Sequence, residues 1–369
     1  MADEPKPVKC LVWDLDNTLW QGTLLEDPDV RLTDAVGDVL AALDSRGILH
    51  SIASKNDYEP AWRRVERFGL ADYFVLPQIG WGRKSDAIRA IADRLRFAED
   101  TIAFVDDQPA ERAEVAYHLP RVRCYPREQL SSLVDLPEFT PPVVTVDARH
   151  RRRMYQAGFR REAAQSAFSG PDAEFVRTLE LVLRIGRAGA EELARVAELT
   201  LRTSQMNATG VHYPDTVLRS LVADPGHEVL VASLTDRFGS HGAIGVVLLR
   251  TGVDVWHLRM LATSCRVVSF GVGAAILDWL IGEANRAGVH LVADFRRTDR
   301  NRMMDIAYRF AGFAEERCPC LAQLGADGES DGVVRLHQVP ERRAVPDTMR
   351  VEALRLAPGG TGNPVRPPV

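Results

Sequence analysis

Short apolar runs separated by amphipathic segments constrain this chain more than any other feature. Residues 9–14 (Lys-Cys-Leu-Val-Trp-Asp) form a brief apolar run that ends in a carboxylate, which reads as a buried strand. Strand patterns recur at 48–53, 73–76, 101–105 and 122–125, with helical patterns at 34–46, 58–68, 84–96 and 109–118 between them. Strands alternating with helices of these lengths predict an α/β domain, a parallel sheet with helices on both faces. Ligands of such sheets bind beyond the carboxyl ends of the strands. Polar residues just past each run are therefore the candidates for chemistry.

The chain has 369 residues, enough for two domains. The predicted layout is the α/β domain at 1–133, a linker and connecting helix at 134–170, a second domain at 171–340 and a disordered tail at 341–369. Pro137, Pro141 and Pro142 mark the linker, an Arg-rich helix is expected at 149–161, and Gly and Pro crowd the tail. The second domain shows a helical pattern at 190–202, then strands at 228–234, 243–249 and 255–261. A helix at 271–286, a strand at 289–294 and a helix at 301–310 follow. Antiparallel strands followed by strand–helix units predict an α+β fold.

Several function classes are disfavoured. A net charge of −5 gives no footprint for nucleic acid. Charges interrupt every apolar stretch well before the ~18 residues a membrane span needs. The N-terminal residues are polar, so a cytoplasmic protein is expected. The cysteines (Cys10, Cys124, Cys265, Cys318 and Cys320) are too few and irregular for a disulfide framework. Cys318-Pro-Cys320 has no second cysteine pair, which argues against a structural zinc site.

Asp14-Leu15-Asp16-Asn17-Thr18 follows the first strand. Asp14 can attack phosphorus as a nucleophile, and Asp16 can protonate the leaving oxygen and later deprotonate water. Three elements come after it, each past its own strand or at a helix start. Ser54 and Thr18 can bond phosphate oxygens, Lys84 supplies a point charge, and Asp106-Asp107 with Asp14 and the backbone carbonyl of Asp16 can form a magnesium shell.

Cys265 lies between a predicted strand and a helix start, beside Arg266. Electropositive helix N-termini favour thiolate chemistry, but a lone Cys is more often a small buried hydrophobe, and the residues alone leave both readings open. A nucleophilic thiol needs a base. Asp236, His241 and His257 fall in or beside the flanking strands, where each also reads as an ordinary hydrogen-bonded residue.

The order D-x-D-x-T, Ser54, Lys84, Asp106-Asp107 resembles the haloacid-dehalogenase superfamily. The segments 14–22, 54–57 and 104–112 narrow the resemblance to its FkbH-type branch, and it extends over roughly residues 8–325. Arg266 and Gly271, with Gly273 in the following helix, resemble the coenzyme-A loop of GNAT-type acyltransferases. Asn301, Tyr308 and Gly312-Phe313 are similar to the second half of that fold. The sequence departs at Ser269-Phe270-Gly271, where the family usually has Gly-Arg-Gly.

The resemblance implies a Rossmann-like phosphatase domain joined to a GNAT-like domain. It implies a magnesium-dependent enzyme that takes 1,3-bisphosphoglycerate, removes phosphate and loads a glyceryl unit onto a discrete acyl carrier protein through its phosphopantetheine arm. The product would supply a polyketide extender unit such as methoxymalonyl. In that scheme Cys265 carries the acyl group, while Arg266, Gly271, Gly273, Asn301 and Tyr308 hold acyl group or pantetheine. The basic run 149–153 is a candidate dock for the acidic carrier. The rival readings are a plain small-molecule phosphatase whose second domain only binds, and a carrier-binding module without catalysis.

Overall fold

A computed structural model describes residues 6–357 apart from 28, 142, 204, 325–331 and 344–345. It divides into two units, 1–159 and 160–369.

In the first unit the strands are β1 (Cys10–Trp13), β2 (Trp20–Gln21), β3 (Arg31–Leu32), β4 (Leu49–Ser54), β5 (Gln78–Ile79), β6 (Ile102–Asp106) and β7 (Arg123–Pro126). β2 and β3 form a small antiparallel pair. The other five make a parallel sheet in the order β5-β4-β1-β6-β7. Side-chain alternation along the strands explains the layering. Leu11, Trp13, Ile52, Ala103 and Val105 face one core with helices Val36–Ser45 and Tyr58–Arg67. Cys10, Val12, Leu49, Ala53, Ile102 and Phe104 face the other with Lys84–Leu95 and Pro109–His118. Both faces are covered, so the strands read as continuous apolar runs rather than alternating ones.

The strand expected at 73–76 is displaced. A short helical turn occupies Ala71–Tyr73, Phe74 makes only an isolated bridge to His50, and the pairing strand is Gln78–Ile79. Trp13 is fully buried, and its indole donates to His50 Nδ1 at 3.0 Å. His50 Nε2 lies 3.1 Å from the Leu40 carbonyl, so the buried ring is held neutral with its proton on Nε2.

The connecting helix spans Arg151–Ala167. Arg152 pairs with Asp44 at 2.9 Å and donates to the Asp72 carbonyl, while Arg151 donates to the Gly47 carbonyl. These two arginines anchor the helix to the first unit.

The second unit holds β8 (Leu181–Arg187), β9 (His227–Asp236), β10 (Gly239–Arg250), β11 (Val255–Thr263), β12 (His290–Arg296), β13 (Val333–Gln338) and β14 (Met349–Ala353). They form a mixed sheet in the order β13-β12-β11-β10-β9-β8-β14. One face packs on helices Val272–Ala287 and Arg302–Phe310 through Leu258, Leu291 and Ala293. The other packs on Leu193–Arg202 and Asp215–Ala223 through Val231, Val246 and Met260. The expected α+β arrangement is present, with three strands that the sequence reading passed over: β8, β13 and β14. β14 overturns part of the predicted disordered tail, because Met349–Ala353 pairs in parallel with β8 as an edge strand. It is short and carries charges, as edge strands do, so its apolar pattern is faint. Residues 358–369 of that predicted tail lie outside the described residues. Among the described residues no helix is long and apolar enough to cross a membrane.

Candidate functional site

Parallel register builds the first site. Trp13 of β1 pairs with Val105 of β6, and Asp14 N donates to Val105 O at 3.0 Å, so Asp14 and Asp106 leave adjacent strand ends together. The carboxylate oxygens of Asp14, Asp106 and Asp107 lie within 4.8 Å of one another. Lys84, at the start of its helix, inserts between two of them, with Nζ 2.8 Å from Asp14 Oδ1 and 2.5 Å from Asp106 Oδ2. Asp14, Asp106 and Lys84 are all buried. Burial pushes the Asp14 carboxyl well above the usual range, Asp106 adds to this and Lys84 opposes it. Burial also raises Asp107, with Asp106 acting in the same sense. Burial alone would lower Lys84, but the Asp14 and Asp106 charges outweigh it and hold the ammonium above its ordinary value.

Three carboxylates face one ammonium here. The set is hard, oxygen-rich and short of positive charge, which fits a magnesium ion. Asp16 stands apart from this cluster. Its Oδ1 accepts from Trp20 Nε1 at 2.7 Å and Leu24 N at 3.0 Å, and its Oδ2 accepts from Asn56 Nδ2 at 3.0 Å. Its side chain is therefore oriented by neighbours, and as a metal ligand it has only its backbone carbonyl to offer. Asn17 takes the left-handed conformation (φ 53°), where Asn is among the tolerated residues, and this turns the chain sharply after Asp16.

Thr18 Oγ1 accepts from Asp107 N at 3.0 Å, which ties the D-x-D loop to the Asp106-Asp107 loop. Ser54 lies at the end of β4, buried, with Oγ 3.3 Å from Asn56 Nδ2. Gln108 N and Arg112 clamp Asp106 from the following helix, on its Oδ1 and its carbonyl. Trp20 and Asn56 lie within the segments 14–22 and 54–57, yet only the structure shows that they position Asp16.

The second unit presents Cys265 on an exposed turn, Cys265–Phe270, directly before the helix Val272–Ala287. Gly271 joins the two in the left-handed region (φ 72°), and a Cβ built at Gly271 or Gly273 would meet nothing, so the helix N-terminus is open. Arg266 Nε lies 3.3 Å from Ser264 Oγ. Behind this turn stands a charged relay. Arg161 Nε is 2.5 Å from Asp236 Oδ2, and His241 Nε2 is 3.0 Å from the same oxygen. The His241 ring meets Phe270 of the turn edge-on at 5.5 Å. Burial opposes ionisation of Asp236, but hydrogen bonds from His241 and Arg161 hold its carboxyl far below the usual range. Burial lowers His241, with Arg161 and Arg266 adding to that and Asp236 opposing it. With Nε2–H directed at Asp236, Nδ1 is the basic nitrogen.

His257 is a correction. It is buried and pairs with Asp294 at 2.7 Å, and it stands roughly 20 Å along β11 from Thr263. It cannot serve Cys265. Asn301 and Tyr308 are also corrections as binding residues. Asn301 is fully buried, and its amide is consumed by the carbonyls of Asn207, Ala208 and Arg296 and by Thr298 N. Tyr308 lies inside the hydrophobic core against Phe295 and Phe313. A cavity of about 310 Å³, lined by residues including Thr200, Asn207, Arg296 and Arg300, was not foreseen.

No protein-family model and no curated protein matches this chain. Among solved structures, it is similar to the N-terminal part of protein BF1531 from Bacteroides fragilis, which contains a phosphatase domain complexed with Mg. Identity is 30% over 37% of this chain and 40% of that one, with a TM-score of 0.30. It is similar to the 3-deoxy-D-manno-octulosonate 8-phosphate phosphatase of Moraxella catarrhalis at 21% identity, over 27% of this chain and 57% of that one (TM-score 0.22). It is also similar to Tetrahymena GCN5 at 16% identity, over 44% of this chain and 99% of that one (TM-score 0.33).

Proposed function

We propose that the chain is a bifunctional, magnesium-dependent enzyme of the FkbH type, a phosphatase and a glyceryltransferase. The observation that carries the first activity is the buried Asp14–Lys84–Asp106 arrangement with Asp107 beside it. Asp14, Asp106 and Asp107 would hold the ion, which when bound neutralises phosphate charge. Asp14 attacks phosphorus, the bond to the leaving oxygen breaks, and Asp16 supplies the proton that oxygen takes. Asp16 then accepts a proton from the water that opens the aspartyl-phosphate. Ser54, Thr18 and Lys84 hold the phosphoryl oxygens.

For the second activity, the Cys265 thiolate attacks the acyl-phosphate carbonyl of 1,3-bisphosphoglycerate. The carbon–oxygen bond to phosphate breaks, phosphate leaves and a thioester forms. His241, backed by Asp236 and Arg161, takes the thiol proton. The pantetheine thiol of a discrete acyl carrier protein then displaces Cys265. The exposed Cys265 turn, against the His241 relay, supports this reading.

Phosphate release from 3-phosphoglycerate, whose phosphate monoester Cys265 cannot cleave, tests the first activity with and without magnesium. Magnesium-dependent release that Asp14→Asn abolishes is expected. Equal release by wild type and Asp14→Asn would reject it.

A further inference from the structure

The second unit brings four soft-metal ligands together from three separate stretches of sequence. His290 opens β12, and His337 lies in β13, where it pairs with Val292. Residues 290 and 292 point to the same side of the strand, so both imidazoles share one face of the sheet. The turn that begins at Pro319 lays Cys318 and Cys320 over that face. His290 Nδ1 is 3.0 Å from His337 Nε2, and Cys318 Sγ is 3.4 Å from His290 Nδ1. One atom from each of the four residues falls within 4.8 Å of all the others.

We infer that His290, Cys318, Cys320 and His337 form a structural zinc site. The chemistry selects the metal. Two thiolates and two imidazoles in a closed set of four suit tetrahedral zinc. Zinc bonds of about 2.3 Å to sulfur and about 2.0–2.1 Å to nitrogen place tetrahedral ligand atoms roughly 3.3–3.8 Å apart, close to the spacing seen here. A two-iron cluster is disfavoured, because its histidine pair and cysteine pair bind different irons and stand apart. Two thiolates neutralise the ion, so the complex can be buried beside Val255 and Val292. Glu316 Oε2 lies 3.7 Å from His337 Nδ1, where a carboxylate orients a ligating imidazole from behind.

The site has a structural use. The apolar cluster under this turn is small, with Val255, Val292, Cys320 and Leu324 as its buried members. A metal cross-link between the turn and two strands supplies the anchoring that so small a cluster does not. All four positions are protein ligands, so no open position remains for catalysis.

Elemental mass spectrometry on the full chain, purified without chelator and with any affinity tag removed, should find about one zinc per chain. The Cys318→Ser/Cys320→Ser variant should fall to a background level, and Asp14→Asn should keep its zinc. Where the serine variant does not fold, cobalt(II) exchanged into the wild type decides. Intense visible bands of tetrahedral cobalt with a thiolate charge-transfer band are expected. Zinc that persists in a folded serine variant, a wild type without zinc whose cobalt spectrum lacks the thiolate band, or a Cys318–Cys320 disulfide in protein purified with a reductant present would each overturn the assignment.

Discussion

The two candidate sites are built in opposite ways. In the first unit, Asp14, Lys84 and Asp106 are buried and locked by short ion pairs, and Asp16 is held by three hydrogen bonds. In the second, Cys265 and Arg266 lie exposed on a single turn, and the organised part is the Asp236–His241–Arg161 relay behind them. A phosphoryl group is small, so a site for it can be preorganised by the protein alone. An acyl group handed from a phosphate to a large carrier needs a thiol that a second protein can reach. The contrast teaches that one unit should work on small molecules unaided, while the other should depend on its partner.

The largest effect should separate the two. Asp14→Asn should cut phosphate release from 3-phosphoglycerate by on the order of 10⁴-fold or more, yet leave Cys265 acylation by 1,3-bisphosphoglycerate intact, as read by intact mass. Loss of both activities would break the comparison. Next, His241→Gln should slow acyl-adduct formation by on the order of 10²–10³-fold with phosphatase turnover unchanged. An unaltered adduct rate would remove His241 as the base.

Acid should also distinguish the units. Burial lowers His50 from its ordinary 6.5 to about 4. The unfolded chain therefore binds a proton between these values that the folded chain refuses. Stability from the neutral ring is complete above about pH 6.5 and is lost as pH falls to about 4, by roughly 3 kcal/mol. Denaturant titrations followed by tryptophan fluorescence should show this loss in the first unit, and His50→Leu should flatten it. The smallest effect is expected at Asn56. Asn56→Ala removes one hydrogen bond to the Asp16 carboxylate and should lower phosphatase kcat about tenfold, with KM little changed.

Much of the first unit was legible in the sequence, because its functional residues stand at strand ends or at a helix start and local spacing carries the site. The helices and most strands agree to within a few residues. What stayed hidden depends on the direction of side chains or on distant partners. His257 and His241 fall in similar strand patterns, and only the register shows that His257 faces Asp294 while His241 reaches the Cys265 turn. Asn301 reads as a binding residue until its amide is seen to serve three carbonyls. Cys318-Pro-Cys320 lacked a second pair in sequence because its histidine neighbours arrive from two other strands.

The central claim is that Cys265 carries an acyl group while Asp14 handles phosphate. Intact-protein mass spectrometry after mixing enzyme, magnesium and freshly generated 1,3-bisphosphoglycerate tests it most directly. A glyceryl or phosphoglyceryl adduct on the wild type, absent from Cys265→Ala, is the expected result. Phosphate release with no adduct on either protein would contradict the account and leave a phosphatase whose second unit has another task.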